Sequence, residues 1–386
     1  MEFEMPFYVR SGDIPRKRHV QFRGPEGQLR YEELVSRKGF SGVYSNLYHL
    51  RMPTRVRRVL EFEPRRPVAA GISQRARHIR TARMTFGGDA IASRRLLLFN
   101  ADVSISKAHI DRAMDHLFRN GHHDELYYIQ EGAGVMRTNF GSLAFGPGDY
   151  LVVPRGVIYA IEPDGKVKAL VIESRDSIET PARYRSEHGQ LLEHSPFCER
   201  DIRTPVFEPP IDQEGAFLVE VRLEGGAQKI EYAHHPFDVV GWDGYYYPWA
   251  INIRDFEPIT GRIHQPPPVH QMFHARGFVV CSFVSRLFDY HPEAVPAPYP
   301  HSNVDSDEVI FYSWGQFMSR KGIEPESITL HPMGLPHGPQ PGRYEDSIGK
   351  RETQELAVMI DTFAPLAVAD AAMEVDDPSY PLSWLG

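Results

Sequence analysis

The feature that most constrains the fold of this 386-residue chain is a motif that occurs twice. The first copy has an Asp-Glu pair ending at Glu125, a short apolar and aromatic run, and Gly132 seven residues after the glutamate. The second copy has an Asp-Glu pair ending at Glu308, a similar run, and Gly315. Self-similarity at a fixed offset is typical of duplicated structural units. The sequence therefore predicts two related domains in tandem.

A Pro-x-Gly turn follows each copy of this motif. Residues 154–156 form the first turn and precede Tyr159, whereas residues 332–334 form the second and precede His337. Side chains alternate along a strand, so a glutamate that opens a strand faces one side only. Glycine tolerates the positive φ that tight turns need, and the turn aims the next strand so that its first residue faces inwards. We expect His337 to face Glu308 inside the second unit.

The second unit also supplies another imidazole, His301, seven residues before Glu308. Two histidines and one carboxylate are the ligand set that holds divalent iron on one face and leaves the other face open. The sequence therefore predicts a metal site of His301, Glu308 and His337. Asp307 competes for the carboxylate role, but the register of the repeat favours Glu308. The first unit has Phe118 in place of His301, so we expect it to be metal-free.

The pattern Glu-x6-Gly followed by Pro-x-Gly-x-x-His resembles that of the cupin barrel, a double-sheet jelly roll. Short apolar runs bounded by turn residues dominate the rest of the chain, which also predicts an all-β fold with few short helices. Helices are expected only at residues 107–119 and 364–373, and residues 1 to about 85 are expected to form an irregular N-terminal arm. The predicted division is 1–175 for the arm and the metal-free barrel, 176–215 for a connection, and 216–386 for the catalytic barrel.

Composition limits the function classes. The chain has 51 acidic and 43 basic residues and a net charge of −8, which does not suggest nucleic acid as a partner. It has no apolar stretch near the length of a membrane span, and its start is acidic rather than that of a signal peptide. Its two cysteines, Cys198 and Cys281, form no disulfide framework. We expect a cytoplasmic protein that acts on a small molecule.

A proline-rich segment, residues 261–271, carries two further histidines, His264 and His270. Such a segment is rigid and cannot pair as a central strand, so its imidazoles are held in place. An imidazole titrates near neutral pH and can accept the proton of a phenol. Either histidine could be this catalytic base, with His264 favoured, or the segment could be a structural loop.

Four other residues are candidates for contact with the substrate. His331, six residues before His337, could hydrogen-bond a metal ligand or the substrate. Arg320 and Lys321, after Gly315, could bind a substrate carboxylate, although basic residues at a turn are usually solvated. Tyr299 is a candidate for the pocket wall, with core packing as the alternative.

The C-terminal part of the chain, from about residue 236, resembles homogentisate 1,2-dioxygenase. The stretches that carry the resemblance are residues 241–249, 252–256, 298–303, 330–332 and 336–339. The resemblance implies a two-barrel enzyme that uses Fe(2+) and dioxygen to open the ring of homogentisate, giving maleylacetoacetate, in aromatic amino-acid catabolism. It also implies a homo-oligomer, because the family forms trimers that pair into hexamers.

The resemblance places His301, Glu308 and His337 on the iron ligands, Asn303 on a substrate contact, and His264 or His270 near the catalytic histidine. The chain departs from the family because Ser302 replaces an arginine, and because the carboxylate lies seven rather than six residues after the first histidine. A related dioxygenase acting on gentisate or another hydroxylated aryl acid is therefore the main alternative. A manganese-dependent cupin enzyme would need a third histidine, and a non-enzymatic bicupin would lack the ligands in both barrels.

Overall fold

The computed structural model describes residues 6–71, 74–85 and 87–385. Residues 1–5, on which the expectation of an acidic start depends, lie outside this part. Within it the chain is built mostly of strands, with one α-helix at Asp370–Met373, which confirms the all-β class. None of the described helices has the length and apolar character needed to cross a bilayer.

The strands are numbered in chain order. The first nine are β1 (Val9–Gly12), β2 (Tyr31–Ser36), β3 (Tyr44–His49), β4 (Val56–Pro64), β5 (Ala69–Gly71), β6 (Arg77–Arg80), β7 (Arg94–Phe99), β8 (Val103–Ile110) and β9 (Leu117–Asn120). The next nine are β10 (Asp124–Glu131), β11 (Gly134–Thr138), β12 (Gly141–Phe145), β13 (Asp149–Val153), β14 (Ile158–Pro163), β15 (Val167–Ser174), β16 (Glu214–Leu223), β17 (Gly226–His234) and β18 (Val239–Gly244). The last nine are β19 (Trp249–Asn252), β20 (Gln271–Ala275), β21 (Phe278–Phe283), β22 (Arg286–Leu287), β23 (Asp307–Gly315), β24 (Ser327–His331), β25 (Glu352–Thr353), β26 (Glu355–Thr362) and β27 (Ala367–Ala369). Short 3-10 turns lie at Thr81–Arg83, Ala182–Tyr184, Glu199–Asp201, Ile253–Asp255, Pro267–His270, Glu345–Ser347 and Tyr380–Trp384.

The two halves repeat the same strand order. The main sheet of the first unit contains the order β13-β10-β15-β8-β7, and that of the second contains β24-β23-β26-β21-β20. The strand that carries the repeat glutamate, β10 or β23, lies inside its sheet with a neighbouring strand on each side. All these pairings are antiparallel. The sheets therefore support the duplication that the motif predicts.

The register matches at single-residue resolution. Phe118 of β9 pairs with Tyr159 of β14, and His301 forms an isolated bridge with His337. These are the positions that the repeat equates. Equivalent paired positions thus carry two aromatic side chains in one barrel and two imidazoles in the other.

The glycines that close the repeated strands have the predicted positive φ. Gly132 has φ 87° and Gly315 has φ 101°. A Cβ atom at Gly132 would lie 2.2 Å from the carbonyl oxygen of Lys166, and one at Gly315 would lie 2.3 Å from that of Gln354. Both contacts are too short for a side chain. Glycine is therefore required at both turns by conformation and by space.

The described part of the N-terminal arm is not irregular, which corrects the sequence-based expectation. Strands β1, β2 and β3 form a four-stranded sheet with β18, β5 joins the first main sheet through β27, and β6 extends the second main sheet beside β24. Strand β19 also joins the first sheet beside β13, and β16, β17 and β4 complete its opposite wall. The predicted boundaries at residues 175 and 215 therefore do not separate the sheets, because strands from each side of them are shared.

The two helix predictions are corrected as well. Residues 107–119 contain the end of β8, a turn and most of β9, and only the last four of residues 364–373 are helical. Lys107 illustrates why the strand at the start of residues 107–119 is hard to predict from the sequence. Its side chain is fully buried, with Nζ 2.7 Å from Oε1 of Gln130 and 3.4 Å from Glu326. A lysine inside a sheet depends on partners that are remote in sequence.

Candidate metal centre

His301, Glu308 and His337 converge at one place in the second barrel. Their ligand atoms all lie within 4.8 Å of one another. Glu308 is the second residue of β23, the bridge between residues 301 and 337 fixes the two histidines side by side, and the turn before His337 contains Gly334 with φ 73°. The local motifs thus bring the three predicted ligands together.

The two imidazoles are oriented by backbone carbonyl groups. Nδ1 of His301 lies 3.2 Å from the carbonyl oxygen of Tyr299, and Nδ1 of His337 lies 2.9 Å from that of Leu335. Since a carbonyl can only accept, each Nδ1 carries a proton, and each Nε2 is turned towards Glu308. The Nε2 atoms lie 3.6 Å and 3.5 Å from the same Oε2 of Glu308. This is how protein backbones orient histidines that bind metals.

One of these nitrogens has no protein partner. Nε2 of His337 is buried and forms no hydrogen bond within the described structure. A buried polar atom without a partner is costly, and most such atoms have one. A divalent cation between the two Nε2 atoms and Oε2 would satisfy all three. The residues present therefore fit a 2-His-1-carboxylate metal site, the set associated with divalent iron.

Glu308 is held as an anion by its neighbours. Burial raises the pKa of this carboxyl, but the imidazoles of His301, His331 and His337 outweigh burial and hold the pKa well below its usual range. His331 Nδ1 lies 2.7 Å from Oε1 of Glu308. Burial lowers the pKa of His331 to about 4, so this imidazole is neutral and donates to the carboxylate. Asp307, the competing carboxylate, accepts instead from backbone N–H groups at positions 333 and 366.

The first barrel has a guanidinium where the second has the ligand set. Arg94, whose side chain is 4% exposed, has Nη1 2.7 Å from Oε1 of Glu125 and Nη2 3.0 Å from the hydroxyl of Tyr159. Tyr159 itself donates to Oε2 of Glu125 at 2.8 Å. Nη2 also bonds the hydroxyl of Tyr127. The buried carboxylate of this barrel is thus neutralised by a side chain, which is a physical reason to expect no metal there.

A cavity of about 170 Å³ lies beside His301 and Glu308. Several aromatic side chains line part of its wall, and they are suited to hold an aromatic ring. The aromatic lining residues are Phe283, Phe288, Tyr312 and Phe317.

His264 and His270 both line this cavity, but their surroundings differ. His270 is buried against Phe283, and burial lowers its pKa to about 3. His264 is half exposed, and its Nδ1 lies 3.3 Å from a carboxylate oxygen of Asp289. Burial opposes protonation of the His270 imidazole, whereas the His264 imidazole is open to solvent and contacts a carboxylate. His264 is therefore the better candidate for a base.

The predicted substrate contacts are only partly brought to the cavity. Arg320 lines it, whereas Lys321, Asn303, Tyr299 and His331 do not. The side chain of Lys321 is exposed, and Tyr299 is 53% exposed beside His264. The backbone oxygen of Asn303 accepts from the amide of Gly334. For Lys321, Asn303 and Tyr299 contact with the substrate therefore stays a prediction. His331 contacts the predicted metal ligand Glu308, which is one of the two roles predicted for it.

Sequence reasoning did not find two charged groups of the cavity wall. Arg286 and Glu355 both line the cavity and form an ion pair. They are remote in the chain, and a single charge next to an apolar strand gives no sign of its partner. The available signal was position alone: Glu355 opens the buried apolar strand β26, and Arg286 follows the end of β21 by three residues.

The chain is similar in sequence to known proteins. A family model described as "Homogentisate 1,2-dioxygenase N-terminal" matches residues 86–253. A Saccharolobus solfataricus protein named "Putative dioxygenase" is 44% identical over 385 residues, covering 98% of this chain and 99% of that protein. The chain belongs to the homogentisate 1,2-dioxygenase family. Within this family, the Rhodopseudomonas palustris homogentisate 1,2-dioxygenase is 27% identical over 72% of this chain, and the Caenorhabditis elegans enzyme is 25% identical over 66%.

The chain spans only part of these last two relatives, 64% and 57% of their lengths. Two solved structures are similar at low scores. A cupin 2 conserved barrel domain protein from Leptotrichia buccalis covers 77% of this chain and 97% of its own, with 10% identity and a TM-score of 0.33. Protein Ylba from E. coli covers 77% of this chain and 93% of its own, with 8% identity and a TM-score of 0.37. The jelly-roll architecture therefore rests on the strand order described above.

Proposed function

We propose that this protein is a ring-cleaving dioxygenase that uses divalent iron and dioxygen to open a hydroxylated aryl acid, with homogentisate as the first candidate and maleylacetoacetate as its product. The observation that carries the proposal is the convergence of His301, Glu308 and His337 beside an aromatic-walled cavity. Two imidazoles and one carboxylate leave room at the metal for other ligands.

Divalent iron held by these three residues would relay electrons from the hydroxylated ring to dioxygen, which amino-acid side chains cannot do. The chain's own residues do the positioning. The aromatic wall, including Phe283 and Phe317, holds the ring, and the backbone contacts of the two imidazoles keep their Nε2 atoms turned inwards. His264, paired with Asp289, would accept the proton of a ring hydroxyl.

The test is dioxygen consumption by anaerobically iron-loaded protein with a panel of hydroxylated phenylacetates and benzoates. We expect uptake with homogentisate and about one iron per chain. Glu308→Gln and His337→Ala should lose both iron and uptake, whereas Tyr159→Phe, at the matched position of the first barrel, should keep both. Uptake with gentisate but not homogentisate would move the proposal to the related substrate. A wild-type protein that binds no iron would favour the non-enzymatic bicupin.

We also propose a homo-oligomer, a trimer or a hexamer, and a cytoplasmic location. The support for the oligomer is the family resemblance. Light scattering of the purified protein tests it, and a monomeric mass at micromolar concentration would contradict it.

A further inference from the structure

An ion pair faces the same cavity as the metal ligands. Nη1 of Arg286 lies 3.0 Å from Oε1 of Glu355 and 3.0 Å from the carbonyl oxygen of Val284. The two side chains are 18% and 16% exposed, and both line the cavity. Strand β22 begins at Arg286 and strand β26 begins at Glu355. Arg286 pairs with Thr353 and Glu355 pairs with Gly315, so backbone pairings hold both members of the ion pair in place.

The surroundings of this pair are largely apolar. The guanidinium of Arg286 lies 5.5 Å from the ring centre of Phe283 and 6.0 Å from that of Phe288, and Ile310 and Met359 also line the cavity. Burial raises the pKa of Glu355, and the charge of Arg286 opposes that rise. Taking two charges out of water is costly, and apolar residues of similar volume often replace such a pair without loss of stability. Packing alone therefore does not explain why the pair is here.

Arg286 has donors left over for a ligand. Its Nη1 is used by Glu355 and Val284, but Nε and Nη2 have no acceptor among the described residues, and neither atom is sealed from solvent. A planar guanidinium with one free edge binds a carboxylate through two parallel hydrogen bonds.

The other arginine of the cavity, Arg320, is committed to the protein. Its Nη1 donates to the carbonyl oxygens of Gly338 at 2.6 Å and Ser319 at 3.3 Å, and its guanidinium lies 5.7 Å from the ring centre of Trp384. Its Nε is buried and has no hydrogen-bond partner in the part of the chain that the structure describes. Arg320 thus braces the cavity wall, whereas Arg286 offers an open edge.

We propose that Arg286 binds the carboxylate of the aryl acid substrate and that Glu355 is a positioning residue that fixes the angle of its guanidinium. The assignment rests on the proposed function for its substrate class. Arg286 is then the residue that makes the protein prefer a hydroxylated ring with an acid side chain over a neutral one.

The test compares homogentisate with hydroquinone, the same hydroxylated ring without the acid side chain. In iron-loaded protein, Arg286→Gln should raise KM for homogentisate at least tenfold with a much smaller change in kcat, and it should leave the kinetics with hydroquinone unchanged. Arg286→Lys should raise KM less than Arg286→Gln does, because lysine keeps the positive charge but not the planar pair of N–H donors. Arg276→Gln, a change of an exposed arginine on the turn between β20 and β21, is the matched control and should behave as wild type.

Anaerobic calorimetry of the iron-loaded protein gives a second measurement that does not depend on turnover. Homogentisate should bind at least tenfold more weakly to Arg286→Gln than to wild type, and hydroquinone equally to both. If Arg286-dependent binding occurs while no aryl acid is turned over, the proposed function fails and the assignment stands. Equal loss for both ligands, or selective loss in Arg320→Lys but not in Arg286→Gln, overturns the assignment.

A double variant guards against misfolding. Arg286→Leu/Glu355→Leu leaves no unpaired charge and should unfold at a temperature close to that of wild type. It should nevertheless lose the preference for homogentisate over hydroquinone. A folded double variant that keeps the preference would refute the role of Arg286.

Discussion

His331 lies directly opposite Glu308 in the pairing of β24 with β23, and its Nδ1 is 2.7 Å from Oε1 of that carboxylate. In the first barrel the residue opposite Glu125 is Val153, which cannot hydrogen-bond. There Arg94 and Tyr159 take the oxygens of the glutamate instead. The two barrels thus stabilise a buried carboxylate in different ways. In the second barrel, one oxygen of this carboxylate faces the Nε2 atoms of two imidazoles.

Replacing His331 should weaken metal binding although it is not a ligand. In His331→Leu, Oε1 of Glu308 loses its donor, and the carboxylate loses the contact that fixes its direction. We expect the affinity for Fe(2+) to fall about 10- to 100-fold, as is usual for outer-shell partners of metal ligands. Competition with a coloured chelator measures the affinity, and His331→Gln, which keeps a donor, is the matched control. Equal affinities in wild type and His331→Leu would contradict this role.

The local parts of the site could be predicted from sequence, because they depend on short spacings. The distance from Glu308 to Gly315 and the turn before His337 define one strand and one turn. The Arg286–Glu355 pair could not be predicted, because its two members meet only after β21 and β26 pair. The same holds for the buried contacts of Lys107, because Gln130 and Glu326 are remote from it in the sequence.

Removing Arg94 should destabilise the first barrel. Arg94→Leu leaves Glu125 buried with only the hydroxyl of Tyr159 as a donor, and breaking a buried ion pair from one side costs about 3–5 kcal/mol. The double variant Arg94→Leu/Glu125→Leu removes both charges and should be less destabilised. Chemical denaturation measures the free energy of unfolding. Both folded variants should still bind about one iron per chain, and a loss of iron from either would contradict the separation of the two barrels.

Glu326 should be a main electrostatic link between the barrels. Its carboxylate lies 2.6 Å from Nζ of Lys168 and 3.0 Å from Nε2 of His109, which belong to the first barrel, and Lys107 is 3.4 Å away. These partners lower the pKa of Glu326 to about 2, against the opposing effect of burial. Glu326→Gln leaves the fully buried Lys107 without a carboxylate.

We expect Glu326→Gln to lower the free energy of unfolding by about 3 kcal/mol. Glu131→Gln removes another carboxylate partner of Lys168, but this one is 64% exposed, so the loss should stay below about 1 kcal/mol. Denaturant titration of both variants distinguishes the two cases. Similar losses of unfolding free energy in both variants would show that burial of Glu326 and its partners does not strengthen their contribution to stability.

His49 should make the stability of the N-terminal sheet depend on pH. Its Nδ1 lies 2.7 Å from Asp238 and its Nε2 lies 3.0 Å from Glu33. Burial lowers the pKa of His49, but the hydrogen bonds to these two carboxylates outweigh burial and raise the pKa to about 9. Because the folded-state pKa lies above that of the unfolded chain, the protonated imidazole contributes fully below about pH 6.5. That contribution is lost as the pH rises to about 9.

The difference between these two pKa values corresponds to roughly 3 kcal/mol of stability. We therefore expect the free energy of unfolding of wild type to exceed that of His49→Gln clearly near pH 6 and much less near pH 9.5. Comparing the two proteins at each pH cancels the titration of the other groups. His234→Gln is the matched control, because His234 also lies near Asp238 but burial lowers its pKa. The free energy of unfolding that this variant loses should therefore not become smaller at high pH. A gap between wild type and His49→Gln that does not change with pH would show that His49 is neutral in the folded protein.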